Sequence, residues 1–282
     1  MRTKEDILPQ RSNHPQSRNT ADLPSALACQ DEIAGHFNGK RPAVFLDYDG
    51  VLTPIVRHPQ DALMSAEMRR TVRRLAELCP VALVSGRDLR DVRQLAGIEG
   101  IAYAGSHGFD IQGPAGGDLA FRQGSECLPA LDRAEQALQE RLSGIAGVRV
   151  ERKKFAVAVH FREGGEKAEA RVQAVVDGVR AATPGLRRTG GKKVFELRPD
   201  IDWDKGRAVF FLMRQLELDD ADFVPFYLGD DLTDEDAFRA LQGRGVGIVV
   251  RDEPRPSYAD YALEDTEEVR LFLATLAQRL GG

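Results

Sequence analysis

The sequence predicts an α/β protein with a doubly wound, Rossmann-like parallel sheet as its core and an inserted α+β cap. Two stretches, 43–104 and 205–270, alternate short apolar runs with helical periodicity, as parallel strands buried between helices do. The residues between them show a helix followed by two strand patterns, twice over, which predicts an antiparallel sheet with helices on one side. A length of 282 residues is sufficient for two such units.

The strands of the core are predicted from continuous apolar runs, AVFL at 43–46, VALV at 81–84 and IAYA at 101–104. Helices are expected between them, one after Ser65, a favoured N-cap residue, and one at 88–96 that stops before a glycine. After the cap the alternation resumes. A helix is predicted at 205–216, a strand at 223–228 and a helix from Thr233. A strand at 245–250 and a final helix from about Glu267 follow.

The cap is predicted to begin with a Gly-rich loop at 112–124 and a helix at 128–142. The segment VRVERKKFAVAVHFR is typical of a hairpin with its turn around Arg152 and Lys153. A second helix at 167–182 then precedes a hairpin that ends in KKVFELRP. The expected division of the chain is a tail and short helix at 1–40, a core of 41–111 and 199–282, and a cap of 112–198.

Alternation in the cap strands predicts one apolar and one polar sheet face. The residues expected to face the cap helices are Phe155, Val157, Val159, Phe161, Phe195 and Leu197. The opposite face carries Ala156, Ala158, His160, Arg162, Lys192, Glu196 and Arg198. A polar face of this kind is either simply solvated, which the strand pattern alone favours, or a sugar-binding surface.

Composition excludes several classes of protein. The formal net charge of −5 argues against nucleic-acid binding, because no excess of positive charge is available to neutralise phosphates. The three cysteines lie far apart, without the spacing of a disulfide framework or a zinc site, which suggests a reducing compartment. No apolar run approaches the ~20 residues that span a bilayer, and the polar N-terminal segment lacks a signal-peptide core. We therefore expect a cytoplasmic protein that binds neither nucleic acid nor membranes.

Two carboxylates follow the first predicted strand of the core. In FLDYDGVLTPI, Asp47 ends the strand and Asp49 stands two residues later, just before Gly50. Ligands of open parallel sheets bind beyond the carboxyl ends of the strands. One acid could therefore be an ionised nucleophile and metal ligand while the other transfers a proton. Alternatively, the pair forms an Asp–Gly turn with solvated acids.

A second acidic cluster, GDDLTDED, follows the strand at 223–228 and places Asp230 and Asp231 at the same sheet edge. Mg²⁺ prefers oxygen ligands and often takes only one or two carboxylates, so Asp47 and Asp230 predict a magnesium site. We expect Thr233 to cap the next helix, with the three acids that follow it complementing the helix dipole.

Two single residues complete a candidate phosphate pocket. Ser85 follows VALV and opens the next helix, where its hydroxyl and nearby amides could bind a phosphoryl oxygen. Lys205 begins a helix in DWDKGR and could neutralise charge on a carboxylate and a phosphoryl group. Taken alone, a Ser before a helix is usually just a cap, and a Lys on a helix is usually just solvated. Their common position at one edge of the sheet favours a shared site.

The motifs DYDGVL, VSGR, DKG and GDDLTDED, in that order, resemble the four motifs of the haloacid dehalogenase superfamily of phosphohydrolases. Together with GSHG, ERKKFAVAVHFR and GKKVFELRP, they resemble the trehalose-6-phosphate phosphatases, a family of that superfamily. The resemblance covers residues 41 to about 270. One departure is Val51, where many members of the superfamily have Thr, so a hydroxyl contact of the family is not expected there.

The resemblance implies hydrolysis of trehalose 6-phosphate in two steps. Asp47 would attack phosphorus, and Asp49 would protonate the leaving sugar oxygen and then activate water. Mg²⁺ would be held by the side chains of Asp47 and Asp230 and the backbone carbonyl of Asp49, with Asp231 in support, while Ser85 and Lys205 would hold the phosphoryl group. The residues implied in sugar binding are Arg87, His107, Lys153, His160, Lys192 and Glu196.

Three alternatives stay open from the sequence. A phosphatase of another sugar phosphate, such as sucrose phosphate, would keep every catalytic residue and differ only in the cap. A sugar phosphomutase would need several arginines facing the cleft, and on the proposed sugar face only Arg162 and Arg198 stand out. A non-catalytic sugar-phosphate sensor would not need the intact set of catalytic carboxylates and lysine.

Overall fold

A computed structural model describes residues 17–282 except residues 38, 57, 116, 192, 219 and 220. The N-terminal half contains β1 (Arg18–Asn19), α1 (Gln30–Gly35), β2 (Arg41–Leu46), α2 (Ala66–Ala76), β3 (Val81–Val84), α3 (Leu89–Ala96), β4 (Ala102–Gly105), β5 (Asp110–Gln112) and β6 (Ala120–Arg122). The middle contains α4 (Leu128–Leu142), β7 (Arg149–Lys153), β8 (Ala156–His160), α5 (Gly165–Ala182), β9 (Leu186–Gly191) and β10 (Val194–Pro199). The remaining elements are α6 (Lys205–Gln215), β11 (Phe223–Gly229), α7 (Glu235–Leu241), β12 (Val246–Val250), β13 (Pro256–Ser257), β14 (Tyr261–Leu263) and α8 (Thr266–Gly281).

The larger sheet has eight strands in the order β14-β12-β11-β2-β3-β4-β5-β6. The first six of these strands run parallel, and β5 and β6 are added antiparallel at one edge. Apolar side chains of α2 and α8 pack on one face of the sheet, and those of α6 and α7 pack on the other. The predicted doubly wound α/β core is therefore confirmed.

Local signals fix most element boundaries of this core. Ser65 caps α2, since its Oγ accepts a hydrogen bond from the amide of Met68 at 3.0 Å. The helix α3 ends at Gly97, which takes the left-handed conformation that glycine adopts without strain. One prediction was wrong here: the segment expected to be a loop at 112–124 includes β6, which pairs with β5.

The smaller sheet is antiparallel, in the order β7-β8-β10-β9, and packs one face against α4 and α5. The hairpin turn lies at Lys154 and Phe155, two residues later than predicted, because Lys153 still pairs with Ala156. This register puts Lys153 on the polar face together with Ala156, since directly opposite residues share a face. Phe155 was expected to face the cap helices, but its ring stacks on Phe109 of the larger sheet region, with 5.7 Å between centroids.

The segment before β2 is part of the fold. Strand β1 pairs antiparallel with β13, and Leu23, Ala26 and Ile33 are buried against the larger sheet. The helix predicted in this region covers only Gln30–Gly35, and residues 1–16 of the predicted tail lie outside the described part of the chain. Among the residues described, no helix combines the length and apolar character required to cross a membrane.

Candidate active site

The strands β11, β2 and β3 are neighbours and end at one edge of the larger sheet, where Asp230, Asp47 and Ser85 follow them. The loops after β2 and β11 approach closely because Gly50 has no side chain. A Cβ on Gly50 would lie 2.2 Å from Cγ of Asp230, and the φ of Gly50 is +73°. The sheet therefore brings the two predicted acidic segments into contact.

Lys205 is the first residue of α6, and its ammonium group is buried between two carboxylates. Nζ lies 2.6 Å from Oδ2 of Asp47 and 2.6 Å from Oδ1 of Asp234, and only 2% of the lysine side chain is exposed. Burial lowers the pKa of Lys205, but the charges of Asp234 and Asp47 outweigh it and raise the pKa above its ordinary value. The lysine is therefore a permanent positive charge beside Asp47.

Asp234, the second carboxylate beside Lys205, was expected from the sequence only to help cap the next helix. Its Oδ1 accepts hydrogen bonds from Lys205 and from the Tyr227 hydroxyl, the latter at 2.5 Å. Its Oδ2 accepts from the amides of Asp230 and Asp231, at 3.0 and 2.9 Å. Burial raises the pKa of Asp234, but the charge and hydrogen bond of Lys205 together with the hydrogen bonds from Tyr227 and the backbone lower it below its ordinary value, so the carboxylate stays ionised inside the protein.

The capping prediction for Thr233 was wrong. The turn after β11 is a 3₁₀ helix over Leu232–Asp234, and its N-cap is Asp231, whose Oδ1 accepts from the amide of Leu232 at 2.7 Å. The helix α7 begins only afterwards, at Glu235. Asp231 therefore caps the turn, and Asp234 is completely buried beside Lys205 and Tyr227.

Asp47, Asp230 and Asp234 form a cluster in which one oxygen of each lies within 4.8 Å of the others. Burial raises the pKa of Asp47 to about 7, although Lys205 opposes the rise. Burial and then the charges of Asp234 and Asp47 raise the pKa of Asp230 to about 9. Three carboxylates offer only oxygen ligands, which fits a hard divalent cation. The positive charge of such an ion would offset both the cost of burying these carboxylates in the ionised form and their mutual repulsion.

Asp49 lies at the same edge and is engaged by Arg87. Nε and Nη2 of the guanidinium lie 2.7 and 2.6 Å from the two carboxylate oxygens, which is a bidentate pair. Burial lowers the pKa of Arg87, but its hydrogen bonds to Asp49 raise it above the ordinary value. Ser85 was expected to open the next helix, but α3 begins only at Leu89, after its N-cap Asp88. Ser85 is fully buried, and its Oγ accepts from the amide of Arg87 at 3.2 Å.

A buried chain of polar side chains joins the two sheets. Lys153 donates to Oε1 of Glu196 at 2.6 Å, and Oε2 of Glu196 lies 3.7 Å from Nε2 of His107. Burial raises the pKa of Glu196, but Lys153 lowers it below the ordinary range. Burial lowers the pKa of His107 to about 4, so the imidazole is neutral at physiological pH.

His160, another predicted sugar contact, lies on the polar face of the smaller sheet. His160 pairs with Glu151, a residue that the sequence analysis did not single out, with 2.7 Å between Nε2 and Oε2. This hydrogen bond lowers the pKa of Glu151 to about 2. The period-2 pattern of β7 would have placed Glu151 on this face once the turn was assigned to Lys154. Lys192 lies outside the described residues.

A cleft of about 730 Å³ separates the sheet edge from the polar face of the smaller sheet. Its walls include Asp47, Asp49, Arg87, Lys205 and Asp230 from the larger sheet and Glu151, Lys153 and His160 from the smaller one. This volume lies within the range of cavities that bind small molecules. One wall therefore carries the carboxylates and the lysine, and the other carries donors and acceptors suited to hydroxyl groups.

Known proteins resemble this chain over nearly its whole length. The family model described as Trehalose-phosphatase matches residues 45–267. Trehalose-phosphate phosphatase B of Arabidopsis thaliana is 42% identical over 267 residues, which cover 91% of this chain and 71% of that protein. Trehalose-phosphate phosphatase of Mycobacterium marinum is 44% identical over 269 residues, which cover 93% of this chain and 68% of that protein.

Solved structures show the same fold. The C-terminal domain of C. albicans trehalose-6-phosphate phosphatase superposes with a TM-score of 0.79 at 21% identity, covering 91% of this chain and 99% of that one. Trehalose-6-phosphate phosphatase of Aspergillus fumigatus gives 0.66 at 26% identity, covering 91% and 99%. With the family model matched over most of its length, this chain belongs to the trehalose-phosphatase family.

Proposed function

We propose that the protein hydrolyses trehalose 6-phosphate to trehalose and phosphate, with Asp47 as the nucleophile and Mg²⁺ as the required cation. The observation that carries this proposal is the position of Asp47 at the carboxyl end of β2, facing the cleft with Lys205 against Oδ2. The names of the relatives support the choice of trehalose 6-phosphate as the substrate.

The chemistry proceeds in two balanced steps. A carboxylate oxygen of Asp47 attacks phosphorus, the bond from phosphorus to the sugar oxygen breaks, and Asp49 gives that oxygen its proton. Asp49 then takes a proton from a water molecule that attacks the aspartyl-phosphate, and the bond from phosphorus to Asp47 breaks to release phosphate. Because Arg87 occupies both oxygens of Asp49, phosphoryl oxygens must compete for its guanidinium before Asp49 can hold a proton.

The three clustered carboxylates of Asp47, Asp230 and Asp234 would hold Mg²⁺, with the backbone carbonyl of Asp49 as a further ligand. The ion would neutralise charge on the phosphoryl group and on the clustered acids. We assign Asp234 to this set in preference to Asp231, because Asp234 has an oxygen within 4.8 Å of oxygens of both Asp47 and Asp230, whereas Asp231 is not part of this cluster. Chelation should therefore abolish phosphate release, and added Mg²⁺ should restore it.

The smaller sheet with α4 and α5 would act as the cap that selects the sugar. Its polar face, with Glu151, Lys153 and His160, supplies both donors and acceptors toward the cleft, as recognition of a polyhydroxylated ligand requires. Since β6 belongs to the larger sheet, we place the start of the cap after β6 and its end before α6.

The decisive experiment measures phosphate release from trehalose 6-phosphate, sucrose 6-phosphate and glucose 6-phosphate at equal concentration in the presence of Mg²⁺. We expect the trehalose ester to be hydrolysed at least about tenfold faster, because unpaired polar groups penalise a poorly matched sugar. Asp47→Asn is the catalytic control and should fold but release no phosphate, whereas Asp61→Asn, in an exposed turn, should behave like the wild type. Comparable rates on the three esters would refute the substrate assignment, and activity in Asp47→Asn would refute the nucleophile.

A further inference from the structure

Arg255 lies in the loop between β12 and β13, at the wall of the cleft beside Asp230. Its Nη2 donates a hydrogen bond to the backbone carbonyl of Asp230 at 2.8 Å. Its Nη1 forms an ion pair with Oε1 of Glu235, the first residue of α7. Most of the Arg255 side chain is buried, as is that of Glu235. The guanidinium therefore links Asp230, which follows β11, to Glu235, which begins α7.

Side chains hold both backbone hydrogen-bonding groups of Asp230, its amide and its carbonyl. The Asp230 amide donates to Oδ2 of Asp234 at 3.0 Å, and the Asp230 carbonyl accepts from Arg255 at 2.8 Å. These two bonds restrain the backbone dihedrals of Asp230 and hence the direction of its side chain. The carboxylate is aimed at Gly50, where a Cβ would lie only 2.2 Å from Cγ of Asp230. A small rotation of this backbone would therefore displace a proposed metal ligand.

The N-terminal segment in turn holds the loop that carries Arg255. The amide of Thr20 donates to the carbonyl of Arg255 at 2.9 Å, and the amide of Arg255 donates to Oγ1 of Thr20 at 3.2 Å. Thr20 is 2% exposed and directly follows β1, which pairs with β13. Glu235 is also fixed, because its Oε2 accepts from the amide of Tyr258 at 2.8 Å. Hydrogen bonds from other segments thus hold both the backbone of Arg255 and the carboxylate of Glu235.

We propose that Arg255 is a positioning residue for the Asp230 carboxylate and that the segment Arg18–Asp22 braces it. The inference rests on the proposed function, in which Asp230 holds Mg²⁺. Arginine suits this place because its planar fork reaches the Asp230 carbonyl and the Glu235 carboxylate together, which the single ammonium of lysine does less well. The N-terminal segment thereby acquires a role in the active site although it lies outside every catalytic motif.

The test is direct Mg²⁺ binding by isothermal titration calorimetry, with phosphate release measured in parallel. Arg255→Met should raise the dissociation constant for Mg²⁺ about tenfold or more, as loss of a group that orients a metal ligand does. Arg255→Lys should recover part of this loss. The matched control is Arg239→Met, since Arg239 packs on the Tyr258 ring at 4.6 Å and belongs to the same region. Its dissociation constant should stay within about twofold of the wild type.

Further readouts separate positioning from general structural damage. Saturating Mg²⁺ should restore kcat in Arg255→Met, whereas loss of native packing would not be reversed in this way. Thr20→Val keeps the shape but removes the hydroxyl acceptor, so a smaller rise of about two- to fivefold in the dissociation constant is expected. If Arg255→Met does not fold, Arg255→Lys and Glu235→Gln decide the question. Wild-type Mg²⁺ affinity in these variants would overturn the inference, while an inactive wild type that binds Mg²⁺ would overturn only the proposed function.

Discussion

The ammonium of Lys205 and the carboxylate of Asp234 form a salt bridge of 2.6 Å in which both side chains are almost completely excluded from solvent. The bridge ties the start of α6 to the turn that follows β11. The second Asp234 oxygen holds the amides of Asp230 and Asp231. A single buried carboxylate therefore both neutralises the lysine and shapes the loop that presents Asp230.

Asp234→Asn should damage metal binding far more than Asp231→Asn. The amide side chain loses the negative charge and one of the two acceptor oxygens, so we expect Mg²⁺ affinity to fall about tenfold or more. Asn is a good N-cap residue, so Asp231→Asn should keep both the turn and the affinity. Mg²⁺ titrations of phosphate release and calorimetry on both variants measure the difference. The opposite ranking would return the ligand role to Asp231.

Lys205→Met should strongly destabilise the protein in the absence of divalent cations. The substitution leaves the buried carboxylates of Asp47 and Asp234 facing each other without a positive partner. Breaking a buried ion pair from one side costs about 3–5 kcal/mol in the free energy of unfolding. Lys193→Met is the control, because Lys193 pairs with Glu169 at the surface and its loss should cost less than about 1 kcal/mol. Equal effects of both variants in urea unfolding would contradict the structural assignment.

Gly50→Ala should abolish Mg²⁺ binding through contact with Asp230. Gly243 offers a matched control: its φ of +72° is nearly that of Gly50, but no atom lies within 4 Å of a Cβ built there. Both substitutions impose the strain of a left-handed alanine, which costs about 1–2 kcal/mol. Only Gly50→Ala also displaces a carboxylate. Calorimetric Mg²⁺ affinity should therefore be retained in Gly243→Ala and lost in Gly50→Ala, and similar affinities would show that the approach to Gly50 is unimportant.

The convergence of Asp47, Ser85 and Asp230 could be predicted from the sequence because it follows from topology alone. Each residue comes directly after a short apolar run, and parallel strands end at a common edge. Most helix boundaries could also be predicted, because they depend on residues at the helix ends, such as the capping residues Ser65 and Gly97. Neither inference needed knowledge of how distant side chains pack.

Asp234 and Lys153 were misassigned for the opposite reason. An acid in the first turn of a helix is normally a solvated dipole partner, and only the buried position of Lys205 reveals that Asp234 points inward. Lys153 was predicted to lie in the hairpin turn, and only the observed pairing with Ala156 shows that it belongs to β7 and to the polar face. Arg255 carried no sequence signal at all, because its partners are backbone groups and Glu235.

His107 should make the protein less stable as the pH falls from about 6.5 to 4. Burial lowers the pKa of its imidazole to about 4, so the folded protein holds it neutral, whereas the unfolded chain takes up a proton below its ordinary pKa of about 6.5. The unfolded state thus binds more protons in this window, and the stability contribution is lost as the pH decreases. Integration over the two pKa values predicts a loss of about 2 kcal/mol between pH 7.5 and 5.

His107→Asn removes this titration while retaining a residue that tolerates the φ of +58° found at this position. Any strain or lost packing affects the variant equally at both pH values, so it cancels when each protein is compared with itself. Glu196 does not confuse the comparison, because Lys153 keeps the pKa of its carboxyl below the range tested. Urea unfolding at pH 7.5 and 5, with Mg²⁺ held constant, should show a decrease that is about 2 kcal/mol larger for the wild type. Equal decreases would mean that the imidazole is accessible to protons in the folded state.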